Sequence, residues 1–434
     1  MVNLSEYKKI APTAWFVWAF SGLFYLYQFV LRASPNLMAE ELREDFCIHA
    51  SSFGLMAACY YYSYAFLQIP MGIFLDRFGP KKVLRLAVLF CGLGAFVFSI
   101  ATNVWVAALG RIMIGAGGSA AFLGSVRLGT LWFPVGHLAF VVGLTITLGK
   151  VGGMAASLPL AFLMGFLTWR NVMLILAGCG FALSFFVWIF VRDGPQDEPM
   201  PMSSEDALKS LKGSLNLLWR RKNIWRTALY GSLMYVPLTV FADTWGVSFL
   251  SNVHGMDRST ASMGIMMIFV GSAFGSPLIA LCSDFLEGRR SLMIVSAFLS
   301  LIVNSLLIFA SGLSSIGLLT LLFLVGFLMT GQTLVFVSSC EDMPNHISGL
   351  VSGFVNMIVM IGGVVFQPLV GWILDFFWKG TMIEGVRSYS AYDYRLALAI
   401  LPLSTLLAVF LGPLLRETYP HRQVSKRVPI SGET

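Results

Sequence analysis

GIFLDRFGPKK at residues 72–82 and ALCSDFLEGRR at residues 280–290 each close a long apolar run with an acid, a short break and a basic pair. Asp76 of the first copy answers to Asp284 of the second. A second pair of segments repeats at nearly the same interval: VGGMAASLP at 151–159 and IGGVVFQP at 361–368, with Gly152 answering to Gly362. Two anchors at nearly equal offset mark a chain built from two related halves.

Working outward from these anchors, twelve apolar runs appear, at roughly 14–37, 49–74, 83–101, 105–127, 136–163, 170–191, 225–250, 260–282, 291–311, 315–338, 347–375 and 393–415. Each is long enough to cross a bilayer, which takes about 20 residues. Charged residues make up 12% of the 434 positions and hydrophobic residues 57%, against roughly 25% charged in soluble proteins. The fold class is therefore an all-α polytopic membrane protein, with twelve transmembrane helices in two six-helix pseudo-symmetric bundles. Residues 192–223 form the longest polar stretch. They divide a bundle at 1–191 from one at 224–434, and 205–222 is expected to form an amphipathic helix on the membrane face.

Most of the 29 lysines and arginines fall on the side of the two termini, including Arg77, Lys81, Lys82, Arg85, Arg289 and Arg290. This bias places both termini in the cytoplasm. It explains the net charge of +7 by basic loops on an anionic leaflet, with the bilayer and not nucleic acid as the partner. No short apolar leader with a small-residue cleavage site precedes the first run. Six scattered cysteines and five unclustered histidines give neither metal spacing nor a disulfide framework. No metal, cofactor or enzymatic nucleophile is expected, and a monomer suffices for function.

The pattern resembles the major facilitator superfamily along nearly the whole chain. The likeness rests on Gly72, Asp76, Arg77, Gly79, Lys81, Lys82 and Arg85 after the second run, with a degenerate copy after the eighth. It rests also on LGRIMIGAGGSA at 109–120 with its Arg111, and on Gly143, Gly149, Gly152 and Gly153 in the fifth run. Antiport branches carry a Gly-Pro pair where this chain reads Gly149-Lys150, which argues against a drug antiporter. Phe285 stands where the first copy has Arg77. YLYQFVLRASPNLM at 25–38 is similar to a branch of nutrient and amino-acid transporters in intracellular proteobacteria and, more distantly, to the lysosomal dipeptide transporter. The resemblance implies alternating access, a central cavity lined by runs 1, 4, 7 and 10, and proton coupling. It also implies gating on the cytoplasmic side by Asp76, Arg77, Lys81, Arg85, Asp284, Arg289 and Arg290. Arg111, Gly149, Gly152, Gly153, Gly362 and Gly363 are expected at helix contacts, since small residues let helices approach closely.

Lys150 is the residue most out of place, at the centre of the fifth apolar run. An ammonium there faces a partner or a cavity, because lipid around it is costly. Arg32 lies in the outer part of the first run, and Asp243, in FADTWG at 241–246, in the outer half of the seventh. Arg32 and Lys150 are candidates to bind an anionic group. Asp243 is a candidate to bind a proton or an ammonium, since burial and neighbouring cations pull its pKa in opposite directions. Tyr25, Gln28, Tyr230, Tyr235 and Gln332 are further candidate substrate contacts. Of the tyrosines 60, 61, 62 and 64, at most two can line a path, because neighbours on a helix point apart. Arg32, Lys150 and Asp243 could meet in an outward-facing vestibule.

The expected function is secondary active transport of a small zwitterionic or anionic solute, by proton symport across a bacterial inner membrane, with an amino acid or short peptide favoured. An organic anion or a citrate-type siderophore is the alternative, as is export or antiport. A transporter-like membrane sensor is the alternative of a different class, and a measured solute flux separates it from a carrier.

Overall fold

The computed structural model describes residues 12–194, 213, 216–343, 347–383 and 386–419. It is helical almost throughout, with twelve spans. In the first half these are span 1 (Pro12–Leu37), span 2 (Ala50–Phe78), span 3 (Pro80–Ser99), span 4 (Val104–Trp132), span 5 (Val135–Ala155 continued by Leu158–Met164) and span 6 (Trp169–Phe190). Span 7 of the second half runs through Lys222–Val236, Pro237–Trp245 and Gly246–His254. Span 8 is Arg258–Phe285 and span 9 is Arg290–Phe309. Span 10 runs from Ser315 to Glu341, span 11 is Ser348–Phe377, and span 12 joins Ala391–Leu398 to Ile400–Leu411.

Eleven of these are long and apolar enough to cross a membrane on composition alone. Span 2, at 29 residues, is diluted by Tyr60, Tyr61, Tyr64 and Gln68, which are buried between helices rather than turned to lipid. The outer surface carries Phe66, Phe162, Phe274 and Phe410 largely exposed, as suits a hydrocarbon solvent. Of the linker and its expected amphipathic helix, only the portions at 192–194, 213 and 216–223 lie within the described residues. There residues 216–220 are helical, and Trp225 Nε1 donates to the Trp219 carbonyl at 3.1 Å.

The helix ends bearing Asp76 and Asp284 lie on one face, here the near face, together with the starts of spans 1 and 7. The opposite, far face carries the short helix Ala39–Asp45 and a two-residue antiparallel hairpin, Met382–Ile383 with Val386–Arg387. The repeated glycine pairs do matching work in the two halves. A Cβ on Gly152 would lie 2.3 Å from the Leu26 carbonyl oxygen of span 1, and one on Gly362 would lie 3.2 Å from the Ser232 carbonyl oxygen of span 7. The second glycine of each pair faces the other half. A Cβ on Gly153 would sit 2.2 Å from the Phe269 ring of span 8, and one on Gly363 would sit 2.8 Å from the Tyr61 ring of span 2. One glycine seats the helix within its own bundle and the next brings it against the opposite bundle.

Two helices are disturbed at prolines. Pro35 in span 1 has no N–H to give the Leu31 carbonyl and its ring crowds that oxygen. Pro237 opens a π-helical stretch, Pro237–Trp245, in span 7. The wider turn alters the direction of the side chains beyond it and turns carbonyls away from their usual partners.

A candidate anion site at the interface of the halves

Arg111 fills the gap that Pro35 makes. Its Nη1 donates to the Leu31 carbonyl at 2.7 Å, and Nη2 to the carbonyls of Arg32 at 3.2 Å and Ala57 at 3.3 Å. Its guanidinium also lies 5.1 Å from the centre of the Tyr60 ring. The fork thus ties span 4 to spans 1 and 2, and its charge is spread over three backbone oxygens.

One turn away, Arg32 is buried and crosses to the other half. Its Nε donates to Asp243 Oδ2 at 2.8 Å and its Nη2 to the Tyr235 hydroxyl at 3.3 Å. Tyr61 of span 2 donates its hydroxyl to the same Asp243 oxygen. Asp243 Oδ1 is buried and, among the described residues, has no hydrogen-bond partner. One carboxylate oxygen therefore takes both donors while the other takes none.

The π-helical stretch carries Asp243, and both halves brace it. Asn36 Nδ2 donates to the carbonyls of Ala242 at 2.6 Å and Phe241 at 3.4 Å, and Asn36 Oδ1 accepts from the Val247 N–H at 3.0 Å. From within its own half, Gln367 Nε2 donates to the Thr239 carbonyl at 2.6 Å. Buried backbone groups that a wide turn frees must find partners, and here side chains supply them.

Lys150 projects from span 5 toward the second half. Its Nζ lies 5.9 Å from the centre of the Tyr235 ring, which the Arg32 guanidinium approaches at 5.5 Å. Lys150 is 7% exposed, and among the described residues it forms no hydrogen bond or ion pair. Gln332, buried in the 3-10 turn Met329–Thr333 of span 10, likewise commits its side chain to no partner there. Tyr25 is half-buried, against Phe29 and Phe122. Gln28 accepts a hydrogen bond from Tyr60 at 2.6 Å. Tyr230 donates to the Met293 carbonyl of span 9 at 2.6 Å, so its hydroxyl is used inside the second half.

The outward-facing vestibule is not there: the far side of these residues is closed in layers. At the rim Arg258 pairs with Glu41 and Arg43 donates to the Arg387 carbonyl. The Ser51 N–H donates to Asp375 at 2.8 Å and the Ala50 N–H to the Tyr389 hydroxyl at 3.2 Å. Beneath lies the Asn36 contact, then Arg32–Asp243–Tyr61. The layers end toward the near face with Asn356 of span 11, which donates to Gln68 at 3.1 Å and Tyr64 at 3.4 Å in span 2. The sequence signal missed here lay in Asn36, Tyr61 and Gln68, ordinary polar residues in apolar runs.

The gating candidates lie on the near face, tied within their own halves. Asp76 pairs with Arg127 of span 4 at 3.3 Å. The Lys81 N–H donates to Asp193 at 2.7 Å. The guanidiniums of Arg77 and Arg85 lie by the rings of Phe78 and Trp188. In the second half Arg289 bridges Asp284 at 2.7 Å and Glu341 at 3.1 Å. Burial works against the Arg289 charge, but the bonds to Glu341 and Asp284 outweigh it and raise its pKa. The N–H groups of Arg289 and Arg290 donate to Glu417 at 2.9 and 3.1 Å. Among the described residues no cluster of His, Cys, Asp or Glu is arranged for a metal ion.

Several proteins are similar along most of their length. A probable sulfoacetate transporter of Cupriavidus necator is 24% identical, covering 93% of this chain and 95% of its own. A membrane sensor protein of Escherichia coli is 27% identical over 85% of this chain and 87% of its own. A probable galactarate/D-glucarate transporter of the same species is 24% identical over 79% and 83%. Among solved structures, a bacterial homologue of the human lysosomal transporter Spinster, in an inward-facing and occupied conformation, superimposes with a TM-score of 0.78. That comparison covers 97% of this chain and 99% of the other at 16% identity, and supports the fold alone. The profile of the Major Facilitator Superfamily matches residues 18–367 and again residues 249–428. With the twelve-helix, two-bundle fold, this match shows that the chain belongs to the Major Facilitator Superfamily.

Proposed function

We propose that the protein is a secondary active transporter of small organic anions, bearing carboxylate or sulfonate groups, in a bacterial inner membrane with both termini cytoplasmic. The observation that carries this reading is the buried Lys150, which among the described residues has no hydrogen bond or ion pair, beside an Arg32 whose charge is already balanced by Asp243. The cluster holds one more positive charge than negative at a depth where an uncompensated cation is costly, so an anion is its natural complement. A zwitterion would need a free acid for its ammonium, and Asp243 is engaged by Arg32 and Tyr61. This argues against the amino-acid or peptide reading. Relatives named for sulfoacetate and for galactarate or D-glucarate point the same way.

In this reading the layered far side is the closed gate of an inward-facing carrier. Lys150, with the Tyr235 ring beside it, receives the anion from the cytoplasmic side or releases it there. The near-face clasps at Asp76 and Asp284 rearrange when the halves rock the other way. Asp243 is the group through which protons are coupled, in symport rather than antiport. The sensor of Escherichia coli supports a second reading, in which the same site binds an anion without carrying it.

The test is a thermal-shift panel of sulfoacetate, galactarate, citrate, amino acids and dipeptides on purified protein, followed by uptake into proteoliposomes. Stabilisation and uptake by sulfoacetate or galactarate, both lost in a folded Lys150→Ala variant, are expected. Stabilisation by amino acids or dipeptides alone would overturn the anion reading. Anion binding without flux would select the sensor.

A further inference from the structure

We propose that the Arg32–Asp243 pair reads the charge of the carried anion, so that a dianion is taken up with a proton on Asp243 and a monoanion without one. This deepens the anion reading above and rests on it.

The argument begins with which charges are free. Among the described residues Lys150 forms no hydrogen bond or ion pair, so a single anionic group neutralises it without breaking one. A second anionic group has one cation left within reach. Arg32 lies by the same Tyr235 ring as Lys150, at 5.5 Å against 5.9 Å, and a compact two-headed anion can address both. Arg32, however, is held by Asp243. If the dianion takes Arg32 while Asp243 stays ionised, the buried site carries an extra negative charge, and breaking a buried pair in this way is strongly unfavourable. A proton on Asp243 removes that charge.

The carboxylate is arranged to accept it. Oδ1 is buried and unpartnered, while Oδ2 receives both Arg32 and Tyr61. When Arg32 turns to the anion, Tyr61 still donates to Oδ2 and Oδ1 takes the proton. The chemistry is one proton transfer: hydronium gives its proton to the carboxylate and leaves as water. The neighbours of Asp243 leave few other sources of compensation. Span 1 presents Arg32, span 2 Tyr61, span 5 Lys150, and span 7 itself Tyr235. Arg111 of span 4 gives its donors to three backbone carbonyls. Spans 8 and 11 bring the uncharged Ile265 and Gln367 to the same stretch of span 7.

The pair is also one of the contacts that close the far side. A dianion with its proton therefore unfastens Arg32 from the opposite half, whereas a monoanion leaves that contact in place. Charge selection and gate release become one event.

Two matched pairs of probes test this in proteoliposomes: galactarate against galactonate, and sulfoacetate against isethionate. Uptake of labelled anion is measured together with lumenal pH, reported by a trapped dye. Wild-type protein should move about one proton per dianion and none per monoanion, the linkage expected when one group changes its protonation on binding. Asp243→Asn should carry dianions with no accompanying proton. Equal proton ratios for the two members of a pair would overturn this proposal and leave the anion reading standing. Failure of all four anions to bind or move would overturn the anion reading itself. The wild-type comparison decides the matter even if a variant does not fold.

Discussion

At the residue scale, the buried arginines 111 and 32 do different things with one side-chain chemistry. Arg111 gives its donors to backbone carbonyls within its own half, whereas Arg32 gives them to a carboxylate and a hydroxyl across the interface. Arg111→Lys should therefore act on stability. A lysine keeps the charge but loses the fork that spans three oxygens, and losing one or two charge-assisted bonds costs about 2 kcal/mol or more. A lowered unfolding temperature in detergent, with anion affinity little changed in the protein that remains folded, is the expected result. A large loss of affinity at unchanged stability would instead place Arg111 in the anion site. What the sequence disclosed at this scale was which residues are costly: Arg32, Lys150 and Asp243 stand out because each is a charge in an apolar run. Which of them meet was hidden, since Arg32 and Asp243 lie in different halves and the π-helical turn at Pro237–Trp245 resets the direction of every side chain beyond it. Tyr61 was equally hidden within a run of adjacent tyrosines, and nothing in the pattern near Tyr230 signals that its hydroxyl is spent on Met293.

At the scale of elements, the repeated glycine pairs separate seating from closure. Gly152→Val places its side chain against the Leu26 carbonyl inside the first bundle, and such overpacking costs about 1–3 kcal/mol, read as a fall in unfolding temperature. Gly153→Val and Gly363→Val place theirs against Phe269 and Tyr61 of the opposite bundle. Their expected effect is on the balance of states. A cysteine introduced at Asn36, behind the closed far rim, should react faster with a membrane-impermeant maleimide in either variant than in the wild-type background. Unchanged labelling, with stability lost as in Gly152→Val, would mean that all three glycines only seat their helices. The helices themselves were the most legible level, since twelve apolar runs and two loop copies fix count, repeat and pairing of the halves. Their internal breaks were less so, because a proline marks where a helix is disturbed without saying which carbonyl a distant side chain will rescue.

At the scale of the whole molecule, polar contacts between the halves run from the far rim down to Asn356, while the near-face clasps stay within each half. A carrier with this arrangement works only if the rim parts. In a cysteine-free background, Glu41→Cys with Arg258→Cys, joined by a short bifunctional thiol reagent, should stop anion uptake. Reduction of a cleavable linker should restore it. Continued turnover of the cross-linked protein would show that the rim contact does not have to break during transport. The same arrangement explains why function was partly legible: the two-bundle plan announces movement between halves, whereas the proposal of an anionic cargo rests on a charge balance read from the assembled interface.

The pairing of Arg32 with Asp243 also bears on how the chain is made. The ribosome delivers span 1 to the membrane long before span 7 exists, and Arg111 arrives only with span 4. During that interval the guanidinium of Arg32 has neither its acid nor the neighbouring tyrosine at 235. The nascent first bundle must keep this cation near the membrane surface, or in the care of an insertion partner, until the second bundle is synthesised. An Asp243→Ala chain would never end that wait, so its defect should show first in biogenesis, as slow maturation and degradation, before any solute is offered to it.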